Sequence, residues 1–199
     1  NIFYFYSVTR SVHFLFPFCK SMITTDTTLT KRDFDMAIPV YLWLTDDVGN
    51  QVKGSVDVHG REGSIEIVEL MHNVELPTDP LTGKITAKRK HGDYFLLKEV
   101  DCSSPYLYQG VSSGRIFKQA VLKFYHINHN GLEEEYFRVT MDNVRVNEIE
   151  PFMFDVKNPT YEKRNHIEAF YLAYEKITWL YLDGNIIHSD SWNDSKEAA

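Results

Sequence analysis

The sequence predicts a mainly β protein: a compact antiparallel β-barrel, or two packed sheets, with one short α-helix and one long extended loop. Aromatic residues make up 14% of the 199 residues, and aromatic side chains favour strands. From Met36 onward apolar residues recur mostly with a period of two, which is the period of a strand with two different faces. Clusters of Gly, Asn, Asp and Pro separate these runs, as turns do.

Eight segments carry the strand pattern, and short turns such as Asn130-Gly131 and Asp183-Gly184 join several of them. The predicted strands are Ile38–Leu44, Val52–Val58, Ser64–Met71, Tyr94–Val100, Gln119–Ile127, Glu134–Val146, His166–Leu182 and Asn185–Trp192. His166–Leu182 also fits helical spacing, but its β-branched and aromatic content favours a strand. The apolar pattern changes parity between Met141 and Val144, which predicts a bulge near Asn143.

One helix start is well marked in the sequence. Ser104 is the predicted N-cap, and Pro105 occupies the first helical position, where its missing amide proton costs nothing. Leu107 and Val111 supply an apolar stripe, and Gly114 is the predicted terminator. The helix is therefore short.

Charge and cysteine content exclude several classes of function. The net charge is −7, which argues against a nucleic-acid partner and against binding to an anionic bilayer. We also expect no stable membrane insertion. Cys19 and Cys102 are too few for a disulfide framework and lack the spacing of a zinc knuckle. We expect neither a metal nor a cofactor.

Residues 1–35 differ in composition from the rest of the chain. They are aromatic and then Thr-rich, and Arg10, His13 and Pro17 interrupt any membrane-spanning run. They also lack the order of regions found in a signal peptide. We predict that residues 1–35 lie outside the folded domain, as a disordered or over-extended gene start, and that residues 36–199 form one domain. The alternative is a natural extension that associates with membranes.

The residues that could carry catalysis are poorly placed. Ser112 lies in a G-x-S-x-G pattern, but the predicted helix precedes the motif, whereas a nucleophile elbow needs a strand before it. His126 and His129 lie at a predicted turn without a third ligand at fixed spacing. Cys102 precedes a helix without a neighbouring His. We therefore expect no enzymatic activity.

The long loop Pro77–Asp93 is a functional candidate because it exceeds the length of ordinary hairpin loops. It carries a basic cluster, and an acidic run, Glu133–Glu135, occurs in a predicted hairpin. Each is ordinarily a solvated face. If the two segments occupied opposite ends of the protein, they would suit head-to-tail association of copies.

From Met36 to Trp192 the chain strongly resembles the haemolysin-coregulated protein (Hcp) family, the tube subunits of bacterial type VI secretion systems. The matching segments, in order, are Met36–Leu44, Lys53–Val58 with Arg61–Glu66, His72-Asn73 leading to Pro77–Asp79 and Thr82–Lys84, Ser103–Tyr108, and Tyr174–Trp179 through Asp183–Trp192. Long matches in a fixed order are far more specific than a short motif.

The resemblance implies a structural, non-enzymatic subunit that forms homohexameric rings, which stack into a hollow tube carrying small effector proteins. Its other implied partners are the spike protein at the tube tip, the contractile sheath and the baseplate. The implied location is the bacterial cytoplasm before firing, followed by secretion to the outside or into a target cell without a cleaved signal peptide.

The resemblance also assigns roles by position. The implied lumen-facing residues are Glu69, Met71 and Asn73. The implied residues of the loop that contacts neighbouring subunits and rings are Pro77, Thr78, Asp79, Thr82, Gly83, Lys84, Lys88, Arg89, Lys90 and His91. Composition alone leaves an alternative open, a carbohydrate-binding or hydrolytic β-sandwich, because such sites also use Tyr, Trp, Asp and Asn.

Overall fold

The computed structural model describes residues 38–161 and 164–192. All of them belong to one compact unit, Asp35–Ala199. The predictions for residues 1–35 lie outside the described residues.

The described residues form twelve strands, one α-helix and two single 3-10 turns. The strands are β1 (Val40–Thr45), β2 (Gln51–Val52), β3 (Ile65–Ile67), β4 (Glu69–Met71), β5 (Val74–Glu75), β6 (Lys90–His91), β7 (Tyr94–Glu99), β8 (Ile116–Ile127), β9 (Glu133–Phe152), β10 (Ile167–Ala173), β11 (Lys176–Tyr181) and β12 (Ile186–Ser191). The helix α1 spans Ser104–Ser113, and the 3-10 turns span Pro159–Tyr161 and Asp183–Asn185. The predicted mainly β, antiparallel class with one helix is confirmed.

The sheet is antiparallel throughout and runs in the order β1, β8, β9, β10, β7, β4. Because β3 pairs with β1 and β4 pairs with β7, the segment Ile65–Met71 joins the first strand of this path to the last. Only Val68 separates β3 from β4, and its amide donates to the carbonyl oxygen of Leu97 at 2.9 Å. The path of paired strands therefore returns to its start, as in a small antiparallel barrel.

The core fills the inside of this path. Its fully buried side chains include Leu42, Leu44, Leu96, Phe117, Leu122, Met141, Phe170 and Leu172. A second, smaller cluster lies on the other face of β7 and β10, where Phe154 packs over Leu97, Ile167 and Ala169. β10 is thus buried on both faces, which explains why periodicity alone left helix and strand undecided for this segment.

The helix begins one residue earlier than predicted. Its N-cap is Ser103, and the predicted cap, Ser104, turns its hydroxyl to the buried Glu168 at 2.6 Å. The predicted terminator is confirmed, because Gly114 has φ of 66°, a left-handed conformation that glycine adopts without strain. Gly110 lets the helix approach the sheet, since a Cβ there would lie 2.8 Å from the ring of Phe117.

The predicted strand Val52–Val58 is mostly wrong. Only Gln51 and Val52 pair with β1, and the following residues fold back on themselves. The Gly54 amide donates to the carbonyl oxygen of Gly63 at 3.0 Å, and a Cβ at Gly54 would lie 2.2 Å from the Ser64 carbonyl oxygen. This close backbone approach excludes a regular strand here.

The predicted single strand His166–Leu182 is two strands. β10 pairs with the second half of β9, and β11 pairs with its first half. The predicted bulge near Asn143 is wrong, because the register between β8 and β9 is the same on both sides of this residue. Asn143 has φ of 53°, and the buried parity of β8 changes at the same level, which accounts for the change of parity in the sequence. The register shifts of β9 lie elsewhere: Tyr136 has no partner on β8, and Asn147 has no partner on β10.

Candidate functional site

The loop Pro77–Asp93 is a narrow projection with few ties to the barrel. β5 and β6 pair at its base through two residues each, and one further bridge joins Thr78 to Ile85. Asp79 organises the tip, because its carboxylate accepts the amides of Leu81 and Thr82, each at 2.8 Å. These two hydrogen bonds hold the pKa of Asp79 below its usual value. Gly83 follows with φ of 67°.

The loop exposes apolar and basic side chains together. Leu81 is 93% exposed and Ile85 is 55% exposed. Lys84, Lys88 and Lys90 are also exposed. Large apolar side chains that are exposed together and rimmed by polar residues are typical of a surface that a partner covers.

Arg89 and His91 differ from the three lysines because they turn back to the barrel. Arg89 donates to both carboxylate oxygens of Asp190 in β12, and also to the Ser191 carbonyl oxygen at 2.9 Å. His91 is buried and places Nε2 3.0 Å from Asp190 Oδ2. Burial opposes ionisation of Asp190, but its hydrogen bonds to Arg89, the Ser191 amide and His91 outweigh burial and lower its pKa.

Tyr174 joins both ends of the loop to the barrel. Its hydroxyl lies 2.7 Å from Nε2 of His72, which follows β4, and 2.9 Å from Nδ1 of His91, which precedes β7. The His72 ring stacks on Tyr94 with centroids 4.4 Å apart. Burial, and then the charge of His91, lowers the pKa of His72. Burial raises the pKa of Tyr94 to about 12 and raises that of Tyr174 as well.

The three predicted lumen residues are exposed on the barrel wall. Glu69 and Met71 point to the same face of β4, and Asn73, two residues further on, is also exposed. Cross-strand register places Met71 beside Phe95, which makes an edge-on contact with Tyr171. On the same face Glu148 and Glu150 of β9 lie opposite Tyr171 and Ala169. The face is therefore an aromatic stripe between glutamates.

The acidic run does not provide the opposite charge that the sequence predicted. Glu133 pairs with the buried Arg61, and Glu135 pairs with Arg138, so most of its charge is balanced within the subunit. Because these ion pairs involve two of its three carboxylates, the acidic run is a weak counterpart for the basic loop, and head-to-tail association of copies stays a prediction.

The other candidates form no catalytic group. Ser112 lies in the last turn of α1, with its hydroxyl 3.3 Å from the Gln109 carbonyl oxygen. His126 and His129 line a shallow cleft beside the β8–β9 turn. The exposed Cys102 places Sγ 3.2 Å from the Lys53 carbonyl oxygen. Within residues 38–161 and 164–192, no three His, Cys, Asp or Glu side chains are placed to hold a metal ion.

None of the helices in the described part of the chain is long and apolar enough to cross a bilayer.

Sequence reasoning did not assign a role to Tyr174 or Asp190. Both occur in segments that carry the family resemblance, but they lie about 80 to 100 residues beyond the loop that they hold. Their contacts with His91 depend on the sheet register, which no pattern in the neighbouring sequence predicts.

The model of the family described as "Type VI secretion system effector, Hcp" matches residues 41–181. The chain belongs to the Hcp family. The major exported protein of Pseudomonas aeruginosa is 26% identical over 171 residues, which cover 79% of this chain and 96% of that protein.

Solved Hcp structures agree with this assignment. The Hcp1 protein of E. coli EAEC 042, in a form with two substitutions to tryptophan, is 52% identical and has a TM-score of 0.71, covering 78% of this chain and 99% of that one. The secreted protein Hcp3 of Pseudomonas aeruginosa, at 20% identity, has a TM-score of 0.63 and covers 77% of this chain and 97% of that one. The second likeness shows the fold alone.

Proposed function

We propose that this chain is the structural subunit of a type VI secretion tube. Homohexameric rings of it stack into a hollow conduit, and effectors travel in the lumen. The observation that carries the proposal is membership of the Hcp family over residues 41–181, a family of type VI secretion proteins. The domain is residues 36–199, it carries no enzymatic activity, and it leaves the cytoplasm through the secretion system together with a spike, driven by a sheath on a baseplate.

The mass of the purified chain in solution tests this function directly. A subunit of 23.2 kDa should elute and scatter light as a particle of about six subunits. Negative-stain images of the same sample should show rings with a central hole. A chain that stays monomeric at all concentrations, and binds or hydrolyses a glycan, would instead support the β-sandwich alternative.

The loop Pro77–Asp93 is proposed as the contact between neighbouring subunits and rings. Its support is the exposure of Leu81, Ile85 and the lysines at its tip. Lys84→Glu with Lys88→Glu should weaken stacking and secretion without unfolding the subunit. Lys53→Glu with Lys157→Glu makes the same change of charge at exposed sites outside the loop, and it is the matched control. Equal behaviour of the two double variants would remove the loop from the contact.

The stripe around Met71 is proposed to line the lumen and to touch cargo. Met71 is 67% exposed beside Phe95. An apolar surface of this kind binds cargo weakly and releases it, and Met71→Arg should oppose apolar contacts in every copy of the ring. The control is Val48→Arg, which places the same charge at a 77% exposed apolar site in a turn. Effector recovery with an intact hexamer should fall for the first variant alone.

A further inference from the structure

Tyr174 contacts residues at both ends of the segment that carries the loop Pro77–Asp93. His72, which precedes the loop, and His91, which lies near its end, both contact the Tyr174 hydroxyl, and Asp190 of β12 contacts the other ring nitrogen of His91. The base of the loop is also held by the short β5–β6 pair, by the Arg89 contact to the same Asp190 and by a hydrogen bond from Asn147 of β9 to Asp93 at 2.9 Å. The cluster is the attachment that links residues on both sides of the loop's tip to one barrel residue.

The hydrogen bonds in this cluster have one consistent direction when both imidazoles are neutral. A carboxylate only accepts, so His91 must carry its proton on Nε2, facing Asp190. Nδ1 of His91 then accepts the Tyr174 proton, and the Tyr174 oxygen must accept from Nε2 of His72. In this arrangement each contact of Tyr174 and of Asp190 with a ring has one proton. His72 then has no second proton for the Gly92 backbone, a hydrogen bond that favours the charged ring, but burial outweighs it and lowers the pKa of His72.

Protonation of both imidazoles breaks this order. A protonated His91 donates from both nitrogens, so two N–H groups point at the one Tyr174 oxygen and the phenol proton loses its acceptor. The charged or titratable side chains that face the two rings are Arg89, Asp93, Tyr94, Tyr174 and Asp190. With both tyrosines neutral, Arg89, Asp93 and Asp190 sum to about one negative charge, which balances one imidazolium and leaves a second unbalanced.

We propose that Tyr174 is a proton-sensitive latch, which holds the loop Pro77–Asp93 on the barrel at neutral pH and releases it when both His72 and His91 are protonated. Burial disfavours the charged form of His72, so the closed state is the one present at neutral pH. The latch belongs to one subunit. Its consequence, that acid loosens contacts between subunits, rests on the proposed function.

Hydrogen exchange on the purified full chain tests the latch, with light scattering on the same sample to fix its oligomeric state. The informative amides lie in the loop: Thr86, which donates to the Pro77 carbonyl oxygen, and Gly92, which donates to that of Asn73. After correction for intrinsic exchange, their protection should fall about tenfold between pH 7.5 and pH 5, a tenfold change in the opening equilibrium. Tyr174→Phe should show low protection at both pH values, and His72→Gln should lose the pH step.

The control is His129→Gln, which removes an exposed imidazole from the β8–β9 turn and should keep the whole pH step. Constant protection in the unaltered chain, or a step that survives in His72→Gln, would overturn the latch. If Tyr174→Phe does not fold, NMR chemical shifts of the imidazole nitrogens in the unaltered chain provide the test. Both rings must gain a proton over the same pH range in which amide protection falls. If the chain is monomeric by light scattering but still shows the pH step in protection, the latch is supported and the proposed ring is not. Failure of the latch and failure of the proposed function are therefore distinguishable.

Discussion

Two buried polar clusters hold this barrel together, and they differ in what their charges can do. In the wall, Lys98 of β7 lies opposite Glu168 of β10, and both are fully buried. Under the loop, Tyr174 links two imidazoles to Asp190. The wall cluster joins a lysine to two carboxylates, whereas the loop cluster contains imidazoles, the type of side chain whose ordinary pKa lies closest to neutral pH. Buried polar contacts therefore form a fixed connection in the wall and a pH-dependent connection under the loop.

The Lys98 ammonium is surrounded by acceptors, whereas the second carboxylate oxygen of Glu168, Oε2, is buried without a hydrogen-bond partner. The Lys98 ammonium lies 2.8 Å from Glu168, 2.7 Å from Asp101 and 2.8 Å from the Glu99 carbonyl oxygen. Asp101 also accepts from Ser103, and this contact ties the start of α1 to the sheet. Burial opposes ionisation of Asp101, but its hydrogen bonds to Lys98 and Ser103 prevail and lower its pKa. Such a cluster holds one geometry firmly, since any missing partner leaves a buried charge.

The largest expected effect comes from breaking the wall cluster on one side. Lys98→Met leaves Glu168 and Asp101 without their cation, and this should lower the free energy of unfolding by about 3–5 kcal/mol. Urea denaturation followed by circular dichroism measures it. Adding Glu168→Leu should recover most of the loss, because the buried charge is then removed with its partner.

The matched control is Lys118→Met on β8, where the lysine is exposed. It should change stability by less than about 0.5 kcal/mol. If Lys98→Met cost no more than this control, the wall cluster would have no special place in the fold.

As the pH falls, the cluster under the loop should lose its contribution to stability before the wall cluster does. The pKa of His72 lies below its usual value, so the native state favours the neutral ring. The resulting stability is present above about pH 6.5 and is lost as the pH falls through the lowered pKa. The pKa of Asp101 is also lowered, so its contribution is present above about pH 3.9 and is lost only at lower pH.

Loop protection and global unfolding, measured over the same pH series, check this order. Loop amides should lose protection between about pH 6.5 and pH 5 while the urea midpoint of the barrel changes little. The midpoint should then fall below about pH 4. A single transition, with both quantities lost together, would mean that the clusters do not act separately.

The same contrast explains what the sequence could and could not predict. Alternation and turn residues were enough for β1, β7, β8 and the turn of the β11–β12 hairpin, because those signals lie within short stretches of sequence. They failed at Val52–Val58, where a close approach at Gly54 replaces the strand, and at Tyr174, where one predicted strand divides into two. Both failures depend on contacts that residue type and periodicity do not encode: the fold-back of Gly54 onto Gly63 and Ser64, and the contacts of Tyr174 with segments distant in the chain.

The candidate site was also only partly predictable from the sequence. The length and charge of the loop Pro77–Asp93 were visible in the sequence, and so was the parity of Glu69 and Met71. The division of the basic cluster was not visible, because neighbouring residues point to different surroundings: Lys88 to solvent, and Arg89 to Asp190 in a strand about a hundred residues away. The basic cluster therefore has two parts, one that anchors the loop and one that is exposed.

The smallest expected effect tests that division with a matched pair, Arg89→Gln and Lys88→Gln, each of which removes one positive charge. Arg89 is partly exposed, so the loss of its contact to Asp190 should loosen the loop by only about 0.5–1 kcal/mol, a two- to fivefold rise in exchange at Thr86 and Gly92. Lys88→Gln should leave exchange unchanged. The exposed lysine should matter instead for association, and its removal should reduce the sensitivity of assembly to salt. Equal exchange in the two variants would show that Arg89 does not anchor the loop, and the attachment would then rest on the Tyr174 cluster, the β5–β6 pair and the Asn147–Asp93 hydrogen bond.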